Sequence, residues 1–434
     1  MKKFVLPFLI FPVVLAAQSS FGQSALRPTI DTKANALEPK VIEWRRDIHM
    51  HPELGNEEVR TAKKVADHLR SLGIEVTENI AVTGVVGVLK GGKPGPTVAL
   101  RADMDALPVT ERNDLPFKSV NTATYNGQET GVMHACGHDT HVAILMGVAE
   151  VMASMKDDLE GNVKFIFQPA EEGVSGPGPA GAELMVQEGV MEDVDAIFGL
   201  HIASQIEVGK IGYRSGPAMA AVDELEIVLH GRQAHGAAPW HSIDPIVTSS
   251  QIVMGLQTII SRSVNITEDP AVVTIGSIHG GIRHNIIPEE VKMIGTIRTF
   301  GDEQQKLVHK RITEIVTNIA ESAGATVDLN IKKLYPATVN HPELTAEMLP
   351  TIKAAAGEGN VINMFPVTGA EDFSFFQREK PGLFINLGGM KKGGDPTTTP
   401  SHHTPGFYID EGGFVLGMRA LSYFVVDYMD QHKE

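Results

Sequence analysis

The residues Gly131-Val132-Met133-His134-Ala135-Cys136-Gly137-His138-Asp139-Thr140-His141 include the chain's single cysteine, with three histidines within five residues of it. A thiolate and an imidazole two residues apart, separated by a glycine, suit zinc or a neighbouring transition metal. The competing reading is a buried free thiol beside a surface histidine cluster. Further donors lie downstream: Glu171-Glu172, His201 and the pair His402-His403. Alone, each has a plainer reading: a solvated turn, a satisfied core histidine, a solvated loop. Together, Cys136, His138, Glu172, His201 and His403 exceed what one tetrahedral ion needs if it must keep an open position. Two ions sharing a bridging ligand fit better. The His402-His403 pair leaves open which ring binds. Adjacent glutamates allow a division of labour, in which one binds metal. Its neighbour takes a proton from the attacking water and passes it to a leaving amine. Metal plus an imidazole can then stabilise the oxyanion.

These donors need a scaffold that gathers them. Glu38 to Met50 reads as a helix after a polar linker, broken by Pro52. Glu57 to Leu72 is a second helix with Gly73 as its stop. Strands are expected over Ile74–Glu78, Val85–Lys90 and Thr97–Arg101, the last running into Ala102-Asp103-Met104-Asp105. An apolar helix follows over Thr140–Met155, then a strand Asn162–Gln168 that ends in Pro169-Ala170-Glu171-Glu172-Gly173. Ser175–Gly181 reads as a loop, Ala182–Glu188 as a short helix and Ala196–Leu200 as a strand ending in His201. Acidic and histidine residues at the carboxyl ends of interior strands mark the crevice of an α/β sheet.

The pattern changes near Gly216. Strand Val222–His230, helix Pro245–Ser261, strands Ala271–Ile278 and Glu290–Thr299, helix Glu303–Ala323 and strand Thr326–Lys332 form a β-α-β-β-α-β order, a complete ferredoxin-like unit. The first pattern then resumes with helix His341–Ala356, strand Gly382–Leu387 and helix Glu411–Tyr428, after a loop Met390–Pro400. The expected organisation is an α/β, mixed-sheet catalytic domain over 37–216 and 332–434, interrupted by an inserted α+β domain over 217–331.

At 434 residues two domains are expected, and 42% hydrophobic with 21% charged residues is an ordinary globular composition. The net charge of -16 argues against a nucleic-acid partner, which requires a basic face. Residues 1–22 read as a secretory signal peptide: Lys2 and Lys3, an apolar run from Phe4 to Ala17, then small residues to Gly22. Cleavage is expected after Ala17 or Gly22, with no membrane association afterwards and a periplasmic or secreted location. A single cysteine in an exported chain cannot pair internally, so it is inert, intermolecular or a ligand.

Six motifs occur in order: His49-Met50-His51-Pro52-Glu53, Arg101-Ala102-Asp103-Met104-Asp105-Ala106-Leu107-Pro108, Cys136-Gly137-His138-Asp139, Pro169-Ala170-Glu171-Glu172, Gly199-Leu200-His201 and His403-Thr404-Pro405-Gly406-Phe407. The ordered set resembles the amidohydrolase branch of the aminoacylase and carboxypeptidase superfamily of metallopeptidases. That branch includes hippurate hydrolases, hydrolases of indole-acetyl amino acids and N-acetyl-diaminopimelate deacetylases. The resemblance implies a metallopeptidase catalytic fold carrying a lid and dimerisation domain. It also implies two divalent ions, commonly manganese, zinc, cobalt or nickel. Cys136, His138, Glu172, His201 and His403 would be their ligands, and Glu171 the general base. It prefers His403 to His402. His235, in Gly231-Arg232-Gln233-Ala234-His235-Gly236, would help hold the oxyanion, often across a dimer interface. Asn285 and Arg298 match positions that contact substrate, the arginine through a carboxylate. Arg101 stands where the wider superfamily has a metal-binding histidine, so Asp103 is left out of the metal set.

The function expected is metal-dependent hydrolysis of N-acyl amino acids or related small amides by an exported homodimer. A carboxypeptidase or dipeptidase, and a non-catalytic metal- or ligand-binding protein on the same fold, are the alternatives. The free carboxylate of Glu171 beside a ligand carboxylate argues for the enzyme. An open sheet edge on the inserted unit invites pairing with a second copy.

Overall fold

The computed structural model describes residues 24–174 and 181–433. The expected signal peptide and most of the Ser175–Gly181 loop lie outside the described residues. Among those described, eight strands form one mixed sheet. Its order is Glu75–Ile80, Gly84–Lys90, Glu160–Gln168, Lys93–Asp103, Ala196–Glu207, Gly382–Met390, Ile211–Tyr213 and Val361–Asn363. The four central strands, from Glu160–Gln168 to Gly382–Met390, are mutually parallel. Their strand residues alternate between two buried faces. Val98, Leu100 and Ala102 belong to the larger core, beneath helices Arg27–Met50, His138–Ala153 and Phe414–Gln431. Ala99, Ile166 and Ile197 face the other way, toward Ala182, Met185, Phe373 and Phe376 of two short helices, Gly181–Gln187 and Phe373–Glu379. A sheet covered on both faces needs near-continuous apolar strands, and these have them. Helix His138–Ala153 is buried nearly all round, as its largely apolar sequence after His141 requires.

The inserted unit is a separate four-stranded antiparallel sheet in the order Val272–Gly280, Glu290–Thr299, Ala221–His230 and Thr326–Tyr335. In chain order this is 2-3-1-4, the ferredoxin-like arrangement. Helices Pro245–Thr258 and Asp302–Ser322 cover one face, with Leu225, Ile227, Leu256, Ile297 and Ile312 among the core residues.

Four local expectations are revised. The first helix begins at Arg27, not Glu38, so the supposed linker is helical and tolerates Pro39. Arg27 ion-pairs with buried Asp427, which anchors that extension to the last helix. The strand carrying His201 continues to Glu207, because Gly382–Met390 pairs with it past that point. The last inserted strand ends at Tyr335 rather than Lys332. Helix Phe373–Glu379 was not expected; seven residues show too little periodicity to reveal it.

Candidate active site

The carboxyl ends of the parallel strands converge on one cavity of about 610 Å3. Cys136, Glu171, Glu172, His201, Arg298 and His403 all line it. Local backbone conformation places several of them. Gly137 has φ +94°, and a Cβ there would lie 2.3 Å from Ile202 Cγ2, so only glycine fits between Cys136 and His138. Ala170, preceding the two glutamates, and His403 are also left-handed, at φ +51° and +63°. Non-glycine residues hold that conformation only where surroundings over-determine it. For His403 the main-chain N–H donates to the Ala135 carbonyl at 2.8 Å, stapling its loop to the Cys136 turn.

The ring hydrogen bonds of the histidines separate candidate ligands from structural groups. His138 Nδ1 lies 3.1 Å from Asp105 Oδ1, while its Nε2 is buried with no hydrogen-bond partner. His201 Nδ1 donates to the Ile202 carbonyl at 2.7 Å, which leaves Nε2 unprotonated, 3.3 Å from Cys136 Sγ. A carboxylate or carbonyl on one ring nitrogen with the other free is the usual second contact of a metal-binding histidine. His403 Nε2 is 2.9 Å from Glu172 Oε1, yet that oxygen makes no aligned hydrogen bond. Cys136, His138 and His201 form one compact donor group, and Cys136, Glu172 and His403 another. The sulfur is common to both, where a ligand shared by two ions has to sit. Soft sulfur, imidazole and carboxylate, with orphaned donor atoms aimed inward, fit a pair of transition-metal ions.

Two other acidic and histidine groups do not. His141 gives Nδ1 to Asp103 at 2.6 Å and accepts the Ile202 N–H on Nε2 at 2.8 Å, so both nitrogens are used. Asp103 also receives Arg101 Nη1 at 2.6 Å. Both Asp103 oxygens are thus engaged within the protein. The group of Glu171, Glu371 and Asp372 is served by the same guanidinium, whose Nη2 lies 2.9 Å from both Glu371 and Asp372. His402 donates to the Ile202 carbonyl at 2.9 Å, and burial pushes its ring down to about 4.

The adjacent glutamates differ in their surroundings. Burial, then Glu371 and Glu172, hold the Glu171 carboxyl well above the usual range. For Glu172 burial acts in the same direction, but His403 and His138 outweigh it and the carboxyl is lowered. Without bound ions, one carboxylate is thus held ionised and the other favours its proton, so the two adjacent groups are set apart in charge. The main chain of their turn is anchored from several sides: Ala170 N–H donates to Glu58 at 2.8 Å and Glu172 N–H to Asp105 at 2.9 Å.

Residues of the inserted unit are distributed differently. Arg298 lines the cavity, and its side chain makes no hydrogen bond or ion pair among the described residues. His235 is exposed, on a two-residue strand that pairs with Ile286–Ile287, and Gly236 N–H donates to the Asn285 carbonyl at 2.8 Å. Neither His235 nor Asn285 lines the cavity, and Asn285 Oδ1 is buried without a partner.

The sequence reading missed Glu371, Asp372 and Tyr335. Arg101 held the clue to the first two, since a guanidinium in an otherwise apolar buried strand requires carboxylates from elsewhere in the chain.

The profile of peptidase family M20/M25/M40 matches residues 99–427. The chain belongs to the M20 peptidase family. It is 42% identical over 399 residues to Thermostable carboxypeptidase 1 of Saccharolobus solfataricus, covering 91% of this chain and 97% of that one. To N-acetylcysteine deacetylase of Bacillus subtilis it is 37% identical over 378 residues, covering 87% and 93%. Among solved structures, the Bacillus subtilis YXEP protein, described as a dinuclear metal binding peptidase from the M20 family, superposes with a TM-score of 0.77. The identity there is 34%, over 91% of this chain and 99% of that one. This M20 chain is a metal-dependent amidohydrolase, and its large mixed sheet is the M20 catalytic fold.

Proposed function

We propose that this M20 protein is an exported, homodimeric hydrolase of N-acyl amino acids. The observation that carries the reading is the convergence of Cys136, Glu172, His201 and His403 on one cavity, with His138 beside them and Glu171 next to a ligand carboxylate. Cys136, His138, Glu172, His201 and His403 would hold two divalent ions, drawn from manganese, zinc, cobalt or nickel. Bound there, the ions supply Lewis acidity toward the scissile carbonyl and the attacking water. Glu171 accepts the proton of that water and returns it to the leaving nitrogen. Arg298, whose side chain has no partner among the described residues, holds the amino-acid carboxylate. His235, with Asn285 at its side, completes the oxyanion contact from a second copy of the chain. Supporting that assignment, helix Pro245–Thr258, which packs on the unpaired edge strand Val272–Gly280, exposes Val247 and Met254. Export rests on the basic and apolar pattern of residues 1–22. N-terminal sequencing of the secreted protein tests it, and a mature chain starting at Met1 would overturn it.

The name of the Saccharolobus relative favours a second reading, removal of the C-terminal residue of short peptides. The same groups serve both, because a peptide bond is also an acyl amide of an amino acid. Metal-reconstituted enzyme assayed against N-acetyl and N-aroyl amino acids and dipeptides separates them. Turnover of dipeptides at least tenfold faster than of every N-acyl amino acid would replace the first reading with the second.

A further inference from the structure

The inserted unit joins the catalytic sheet through two chain crossings, residues 216–221 and 335–340. They are zipped together, since Gly216–Met219 pairs antiparallel with Thr338–Asn340. Tyr335 stands where the second crossing leaves the inserted sheet, opposite Val222, and the ladder register shifts at that point. Its phenol reaches out of the inserted sheet and donates to the Glu171 main-chain carbonyl at 2.8 Å. Its ring packs edge-on against Phe375, with centroids 6.1 Å apart. Burial, then the charges of Asp372 and Glu171, keep the phenol far above its ordinary pKa, so it remains a donor.

Three side chains therefore grip the main chain of the Pro169–Gly173 turn: Glu58 at Ala170, Asp105 at Glu172 and Tyr335 at Glu171. The first two belong to the catalytic sheet and its helices. The third comes from the hinge. We infer that Tyr335 is a positioning residue, which sets the Glu171 carboxylate through its carbonyl and ties that setting to the angle of the inserted unit. A rotation about the crossings carries the phenol with it and releases the Glu171 carbonyl, while the N–H groups of Ala170 and Glu172 stay held by Glu58 and Asp105. The inference rests on Glu171 being the general base, as proposed above.

The test is Tyr335→Phe in the metal-loaded full chain, which removes one hydroxyl and keeps the ring against Phe375. A carboxylate displaced by a fraction of an ångström is expected to lower kcat about tenfold to a hundredfold. KM, metal content by mass spectrometry and Tm should stay close to the parent, because Arg298 and the ligands are untouched. In a Glu171→Asp background, where the carboxylate is already displaced, the same change should cost less than threefold. A kcat within twofold of the parent would overturn the inference. So would a loss of Tm or metal content in step with kcat, or an undiminished effect in the Glu171→Asp background, since each indicates a structural role. Full activity in Glu171→Gln would instead remove the underlying assignment, so the two failures are distinguishable.

Discussion

The carboxyl ends of the central sheet and the inserted unit present their polar groups in opposite states. At the sheet, His138 is backed by Asp105, His201 by the Ile202 carbonyl, and Arg101 is locked among Asp103, Glu371 and Asp372. In the inserted unit the Arg298 side chain has no partner among the described residues, Asn285 Oδ1 is buried and unpaired, and His235 is exposed, its Nδ1 accepting only the neighbouring Ala237 N–H at 3.0 Å. Preorganised groups need little rearrangement when substrate arrives, which is where electrostatic catalysis gains most. Unpaired groups instead await something that completes them. One half of this site is finished by folding except for the inward-facing donor atoms of His138 and Glu172, and the other is left unfinished by the fold.

The largest effect should come from the finished half. Glu171→Gln is expected to lower turnover by about 10²–10⁴-fold or more, because an amide cannot accept the proton of the attacking water. Metal content, measured by mass spectrometry, should be unchanged. Activity within tenfold of the parent would move the base elsewhere and break the contrast.

Cys136 gives the next largest effect. As a ligand it should resist thiol reagents in the metal-loaded protein and react after chelation, and Cys136→Ser should lower metal affinity by at least about tenfold. Equal labelling with and without metal would count against coordination.

The unfinished half is tested by mixing Glu171→Gln with His235→Ala. If the histidine acts across a dimer, each mixed dimer has one intact site, and activity should recover to about a quarter of the parent after subunit exchange. Exchange is monitored separately with labelled subunits. A mixture that exchanges and stays inactive would place His235 in its own chain's site.

The smallest effect concerns stability. Burial and the nearby charge of Asp105 push the Glu58 carboxyl up to about 8 from 4.5. The folded state therefore holds a proton that the unfolded state releases, and stability should fall as pH rises through about 4.5 to 8. Glu58→Gln should flatten that dependence in thermal melts. An unchanged slope would show that the carboxyl is ionised in the fold.

Much of this site was legible because soft and hard donors at strand ends are rare by chance. Cys136-Gly137-His138 and Glu171-Glu172 each flank an element whose apolar pattern was plain. The alternating inserted strands were equally readable. What escaped notice depended on contacts between distant residues. Tyr335 looked like a residue beyond a strand's end because Lys332 and Lys333 break the apolar alternation; its role appears only when Glu171 lies beside it. Glu371 and Asp372 precede a helix of seven residues, too short to signal itself. His235 was legible as part of the Gly231–Gly236 motif, but its absence from the cavity lining comes from tertiary geometry that no local pattern encodes.

The first and last described helices are joined through Arg27 and Asp427, and Asp427 also accepts from Thr351 at 2.6 Å. Helix Phe414–Gln431 is buried along nearly its whole length against the parallel sheet. A ribosome delivers that helix after every strand of the catalytic sheet. The catalytic core therefore cannot close until Phe414–Gln431 has emerged, whereas the inserted unit, contiguous from Ala221 to Tyr335, can fold as soon as its own strands emerge. Nascent chains halted before Phe414 are expected to show a protease-resistant fragment spanning only the inserted unit, with resistance of the remainder appearing once Asp427 has been added.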